Sequence, residues 1–209
     1  MSSDPRSGRP RASSREVLAE AACELFLEQG YDATSVADIA TRAGVSRSSF
    51  FNYFSSKGEV LWSALDERID RLGEGLQDDV AADAAAAVRD GVAEIAVDFA
   101  PDSLALAMAN ADAMGIADEL ERESALRRAR IARAIAERMR RGGAEPLRSE
   151  VLGAAYGGAV LAAVERWAFE GPGHSPLSDV LDRALAEVAT LPAAQGVRQL
   201  RGGTPPPLA

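Results

Sequence analysis

One cysteine, one histidine and one lysine occur among the 209 residues. Cys23 has no second thiol for an internal disulfide, so the fold rests on burial and a cytoplasmic location is the default expectation. With His174 as the sole histidine, the sequence suggests neither a His/Cys metal-ligand set nor a Ser-His-Asp or Cys-His nucleophile. Neither Gly-rich phosphate loop occurs, so nucleotide-dependent catalysis lacks its usual cradle and no cofactor is expected. The longest uncharged apolar run, residues 151–164, has 14 residues, too few to span a bilayer. The N-terminal arginines are not followed by the apolar stretch of a signal peptide. No stretch alternates β-branched and polar residues as strands do; the periodicities are helical throughout.

Charge is abundant but unevenly placed. The net charge is -9, which looks wrong for a chain that neutralises phosphates. Residues 1–60 hold 7 basic and 8 acidic side chains, a net of -1, so the acidity belongs to the remainder. Glu16, Glu20, Glu24 and Glu28 fall on one helical face, and residues 1–15 carry four arginines against Asp4 alone. A basic edge is therefore compatible with the acidic total.

Residues 1–13, rich in Ser, Pro, Gly and Arg, are expected to form a disordered basic arm. Ser13 and Glu16 match a capping box opening a first helix that Gly30 ends. Thr34 or Ser35 then caps a second helix with Val36, Ile39, Ala40 and Ala43 on its apolar side. A Gly44 turn leads to a third helix opening at Ser46, which gives the helix-turn-helix signature within 14–56. On that helix Phe50 and Phe54, with Tyr53 close by, are expected to lock onto the first two helices. Ser56 and Glu59 read as the box of a fourth helix running through Val60, Leu61, Leu65 and Ile69 toward Leu72. Further helices are predicted over 82–99, 102–113, 117–141, 146–170 and 176–191 of an all-α body at 57–191, followed by a disordered tail at 192–209.

A recognition helix lays its N-terminal residues against base edges in the major groove. Arg47 is suited to guanine O6 and N7, Asn52 to adenine or a phosphate, and Ser46 and Ser48 are short enough to permit close approach. Phe51 offers apolar contact, as to a thymine methyl, or else packs against the first helix; Lys57 meets a phosphate or lies solvated on the surface.

The run from Thr34 to Leu61, TSVADIATRAGVSRSSFFNYFSSKGEVL, resembles the DNA-binding head of TetR-family transcriptional regulators. The resemblance covers about residues 14–65. It implies an all-α homodimer that reads a palindromic operator and is released by a small effector. It also implies DNA contacts at Thr34 or Ser35, Ser46, Arg47, Phe51, Asn52, Tyr53 and Lys57. Phe51 stands where the family pattern usually has tyrosine, so a hydroxyl bond to phosphate is absent there. The Phe-Phe-x-Tyr-Phe run and Trp62 resemble a narrower subset that includes regulators of mycofactocin-type systems responding to acyl-coenzyme A.

In the body, small residues at Gly153, Ala154, Gly157, Gly158 and Ala162 permit a close helix approach. With Leu161, Val164 and Trp167, and with Val180, Leu181 and Val188 of the last helix, they are expected to pair two copies. An intramolecular core is the alternative. Phe99, Leu104, Met108, Met114 and Leu120 are candidate lining of an effector pocket, or ordinary core fillers. The cluster of arginines between Arg127 and Arg141 attracts a phosphorylated ligand or is a solvated face. The expected function is a ligand-responsive repressor. The competing readings are an activator, and a small-molecule-binding or scaffold protein whose head serves protein contacts.

Overall fold

The computed structural model describes residues 14–78, 83–100, 103–171 and 174–190. The expected arm, the Ser13 cap and the tail lie outside them. The described elements are α1 (Ser14–Gln29), α2 (Val36–Arg42), α3 (Arg47–Phe51), a 3-10 turn (Glu59–Trp62), α4 (Ser63–Asp78), α5 (Ala84–Glu94), α6 (Ser103–Ala109), α7 (Ala111–Met114), α8 (Ala117–Arg141), α9 (Pro146–Glu170) and α10 (Leu177–Thr190).

The head forms where the periodicity places it. Leu18, Ala22, Leu25 and Phe26 of α1 are buried, while its four glutamates face water. Gly30 ends α1 at φ +85°, a left-handed position that suits glycine, with its N–H on the Phe26 carbonyl at 3.0 Å. Ile39 and Ala40 of α2 and Phe50 of α3 close over α1, and Phe54 follows them inward. One apolar core runs from this head through Val60, Leu61 and Trp62 into the body.

The fourth helix starts later than its capping signal. Ser56 Oγ accepts the Glu59 N–H at 3.2 Å, and the Glu59 carboxylate takes the N–H and hydroxyl of Ser55 as well as drawing on the Ser56 backbone N–H. A 3-10 turn then directs Val60, Leu61 and Trp62 together into the core before α4 begins. The helix predicted over 82–99 is the shorter α5, and that over 102–113 divides into α6 and α7 at Asn110, whose side chain donates to the Leu106 carbonyl at 2.8 Å.

The long α8 and α9 occupy the predicted ranges. Glu145 caps α9 by accepting from the Leu147 and Arg148 N–H groups, with Pro146 at the first helical position. α9 is long and apolar enough to cross a membrane by length and composition, yet Gly153, Gly157, Val160, Leu161, Val164 and Trp167 are buried against the rest of the chain. Between α4 and α8, Arg127 is 3% exposed and pairs with Asp66 at 2.5 Å and with Glu123. Arg130 bridges Asp66 and Asp70 beside it. Two carboxylates thus pair the buried Arg127 charge, although its Nε stays buried without a hydrogen bond.

Candidate nucleic-acid interface

Two short helices cannot hold their own geometry, so the caps and the core do it for them. Ser35 caps α2 reciprocally: its hydroxyl accepts the Asp38 N–H, while the Asp38 carboxylate accepts from the Ser35 N–H at 2.9 Å and its hydroxyl at 2.7 Å. Those Ser35 hydrogen bonds hold the Asp38 carboxyl below its ordinary value. Gly44 turns the chain at φ +70°, and the Val45 N–H returns to the Ala40 carbonyl at 2.9 Å. Ser46 caps α3, accepting the Ser49 N–H at 3.0 Å and sharing hydrogen bonds with the Ser48 and Ser49 hydroxyls.

Neighbouring aromatics then part. Phe50 is fully buried and its ring meets that of Phe51 edge-on at 5.4 Å, while Phe51 is 48% exposed. Phe51 is therefore not buried against helix α1. Arg47 lies over its ring, the guanidinium carbon 5.6 Å from the centroid. Ser46, Arg47, Ser48, Phe51, Asn52 and Tyr53 share the exposed side of the head; Tyr53 faces water instead of locking onto the first two helices.

The other cations of the described head are held elsewhere. Arg42 bridges Glu24 and Glu28, pinning α2 to α1 and pulling the Glu28 carboxyl down. Arg15 pairs with Glu67. Lys57 donates to the Tyr31 carbonyl at 2.6 Å and the Thr34 carbonyl at 3.0 Å, with its nitrogen 3.9 Å from the Tyr31 ring centroid. It is therefore not a solvated surface residue. Thr34 corrects the expectation as well. It is 2% exposed and donates its hydroxyl to the Gly30 carbonyl at 2.8 Å, so its side chain closes α1 and offers nothing at the surface.

The body residues are also differently placed. Phe99, Leu104, Met108, Met114 and Leu120 are all buried in the common core, and Phe99 meets Trp167 edge-on at 5.5 Å. They fill space and line neither described cleft. The two clefts flank α4. One, of about 400 Å³, lies toward α8 between Ile69, Leu76, Ala134, Arg130, Arg133 and Arg141. The other, of about 280 Å³, lies toward α5 between Arg68, Leu72, Ala87 and Gly91.

Gly157, Leu161, Val164, Trp167, Val180 and Leu181 are buried inside the single chain and Val188 is half-buried, so a second copy cannot reach most of the expected pairing residues. Gly153 and Gly157 bring α9 against the α8 backbone. The outer side of α9 instead carries Leu147, Val151, Ala154, Gly158, Ala162 and Phe169, with Leu147 69%, Val151 59% and Phe169 68% exposed. α9 is apolar most of the way round, so its sequence does not say which side faces inward.

Residues 18–63 match the pattern described as "Bacterial regulatory proteins, tetR family", and residues 82–191, more than half of the chain, match the MftR C-terminal domain. The chain belongs to the tetR family. This is a family of DNA-binding transcription regulators and not of enzymes. A mycofactocin biosynthesis transcriptional regulator, MftR of Mycobacterium tuberculosis, is 34% identical over 80 residues, 38% of this chain and 40% of that protein. The activator FasR of Mycolicibacterium smegmatis is 40% identical over 68 residues, 32% of this chain and 31% of its own. The chain thus spans well under two thirds of these curated relatives. The fold extends further: the tetR-family repressor FadR of Thermus thermophilus, solved in complex with lauroyl-CoA, superposes with a TM-score of 0.50 over 93% of this chain and 100% of that one, at 24% identity.

The head also meets the body at Tyr31, a junction that the tetR-family reading of the sequence missed. The Tyr31 N–H donates to the Met114 carbonyl at 2.8 Å, and the Glu119 carboxylate bears electrostatically on the Tyr31 hydroxyl. Burial and that carboxylate push the Tyr31 hydroxyl well above its ordinary pKa. The partners stand far apart in the chain, and no local motif announces them.

Proposed function

We propose that this tetR-family chain is a cytoplasmic, ligand-responsive repressor that binds a palindromic operator as a homodimer. The observation that carries the reading is the exposed face of α3. Arg47 and Phe51 stand together there, while Arg15, Arg42 and Lys57 are engaged within the protein. Arg47 reads a guanine, Phe51 lies against a thymine methyl or sugar, and Ser46, Ser48, Asn52 and Tyr53 fix the register on phosphates or base edges. A helix as short as α3 reaches few base pairs, so specificity needs two copies set about one helical turn or more apart.

The outer face of α9 supports the pairing. Its large apolar ends and small centre at Ala154, Gly158 and Ala162 suit two helices crossing closely about a twofold axis. For the effector, the wider cleft offers an apolar floor from Ile69, Leu76 and Ala134, with Arg130, Arg133 and Arg141 set among Asp70, Glu74 and Glu137. The floor suits the apolar chain of an acyl-type effector. Binding beside α4 favours a head spacing that no longer fits the two half-sites, and the population shifts off the operator.

Selection of duplexes from a random-sequence pool, followed by a mobility-shift titration of the recovered sequence with and without acyl-coenzyme A esters, tests the reading. The expected result is an inverted repeat whose complex weakens as ester is added. Enrichment of no sequence over random DNA would remove the claim of specific recognition. Tighter binding with ester, or increased transcription from the bound promoter, would reassign the chain as an activator.

A further inference from the structure

We infer that Arg47 and Phe51 read two neighbouring base pairs as one unit, a guanine beside a pyrimidine that carries a C5-methyl group, so that 5-methylcytosine serves in place of thymine. The inference rests on the operator-binding reading and deepens it, naming the step that each half-site presents and a base modification that changes its affinity.

Phe51 is held ready on the surface. Its ring meets that of Phe50 with the planes 81° apart and the centroids 5.4 Å apart, and Phe50 is fully buried, so the exposed ring rests on an anchored one. Phe51 stays 48% exposed, and the Arg47 guanidinium carbon lies over its ring, 5.6 Å from the centroid. Positions four apart on a helix bring their β-carbons within about 5–6 Å. Arg47 and Phe51 thus leave α3 side by side. Base pairs rise about 3.4 Å each along the duplex, so a guanidinium and a ring at this separation meet adjacent pairs. Stacking on the ring also limits the rotamer freedom that Arg47 gives up on binding.

Neighbouring polar groups are largely engaged. Ser46 Oγ accepts the Ser49 N–H at 3.0 Å and shares hydrogen bonds of 2.8 Å with the Ser48 and Ser49 hydroxyls, which ties three hydroxyls into the opening turn of α3. Arg42 is held by Glu24 and Glu28, and Lys57 by two backbone carbonyls. The chemistry of the base edges then assigns the pair. A guanidinium matches guanine O6 and N7. Phe51 has no hydroxyl for a phosphate and neither donor nor acceptor for a base edge, so it gains only where the major groove presents carbon. The apolar group offered there is the pyrimidine C5-methyl: thymine has it, cytosine lacks it, and 5-methylcytosine regains it at the same ring position. Methylation of a cytosine beside the contacted guanine therefore builds the surface that a thymine would offer.

Fluorescence anisotropy with the full-length chain, on a duplex that the wild type selects from a random pool, tests this through two changes of a single methyl group. At each thymine beside a guanine, thymine is compared with uracil; at the same position, a pair of 5-methylcytosine with guanine is compared with one of cytosine with guanine. At one such position in each half-site the methylated base is expected to bind about fourfold tighter in both comparisons. Phe51→Ala is expected to erase both differences while melting like the wild type. It is still expected to lose affinity when the neighbouring guanine is replaced by 7-deazaguanine, which lacks the N7 acceptor that Arg47 uses. Equal affinities in both comparisons at every such thymine, a selected half-site with no guanine beside a thymine, or a methyl preference that persists in Phe51→Ala overturns the inference. If the wild type enriches no sequence, the operator-binding reading fails and takes this one with it; if an operator is selected and the methyl group makes no difference, that reading stands and only the shared step falls.

Discussion

A β-carbon placed on Gly153 would stand 2.3 Å from the Ala132 carbonyl oxygen, so α8 and α9 meet there with no room for a side chain. One turn on, a β-carbon on Gly157 would stand 2.7 Å from the Arg128 carbonyl. The obstacle in both cases is backbone, which cannot swing aside. Gly153→Val is therefore expected to cost about 1–3 kcal/mol or more through forced separation of the helices. Gly75 of α4, with nothing within 4 Å of its β-carbon, is the internal control: Gly75→Ala is expected to hold or slightly raise stability. Urea unfolding of the two variants against wild type decides the matter, and equal midpoints would sink the assignment.

Removing Arg47 and removing Lys57 should fail in different ways. Arg47 touches only the exposed Phe51 ring, so Arg47→Ala is expected to leave melting unchanged while discrimination of the operator weakens by about 1–3 kcal/mol. Lys57 closes two backbone carbonyls, and Lys57→Met is expected to destabilise the head by about 1–3 kcal/mol as well as weaken binding. Calorimetry paired with mobility-shift titration separates them. A Lys57→Met chain that melts like wild type would return this residue to the phosphate backbone.

Pairing and folding are carried by opposite sides of α9. Val151→Glu places a charge on the outer face and is expected to yield folded monomers in sedimentation velocity, because the site is 59% exposed in the single chain. Trp167→Ala, on the inner face, removes a ring packed on Phe99 whose indole N–H donates to the Ser175 carbonyl at 3.0 Å. It is expected to cost about 3–5 kcal/mol of stability. The reverse pattern, dissociation by Trp167→Ala with normal melting, would restore the buried face to the interface.

Acid should loosen the caps. Hydrogen bonds from Ser35 lower the Asp38 carboxyl, and the Leu147 and Arg148 N–H groups lower Glu145. Burial pushes the Glu59 carboxyl up, but the Ser55 donors and Arg127 pull it down further, to a net lowering. A depressed folded pKa stabilises above the unfolded value and stops doing so as pH falls through the folded one. The melting temperature is thus expected to hold steady from neutrality to about pH 5 and to drop below about pH 4, with Asp38→Asn flattening part of that slope. An Asp38→Asn chain with an unaltered acid slope would show that the α2 cap is not its source. Tyr31 adds the opposite limb: its raised hydroxyl contributes below pH 10 and loses its contribution as pH climbs through the folded value.

Much of the fold was readable from residues alone. Gly30 and Gly44 mark the turns they occupy, Pro146 and Gly142 bracket the turn between the two longest helices, and the ranges of α8 and α9 follow from strong uninterrupted periodicity. Phe50 and Phe54 were legible as anchors from their spacing of four. Residues whose role depends on a distant neighbour were not. Thr34 reads as a helix cap and is spent on the Gly30 carbonyl, and Asn110 divides a helix that composition alone continues.

The sequence by itself determined an all-α chain, a helix-turn-helix head, and Arg47 at the start of its third helix, because caps, turns and periodicity act over a few residues. The tertiary structure decided which side of α9 is inside, why Phe51 points out beside a buried Phe50, and that Tyr31 joins Met114 and Lys57. Those outcomes depend on which apolar surfaces find each other across many tens of residues. An apolar residue carries its preference for burial within itself, but the surface it is buried against belongs to the fold.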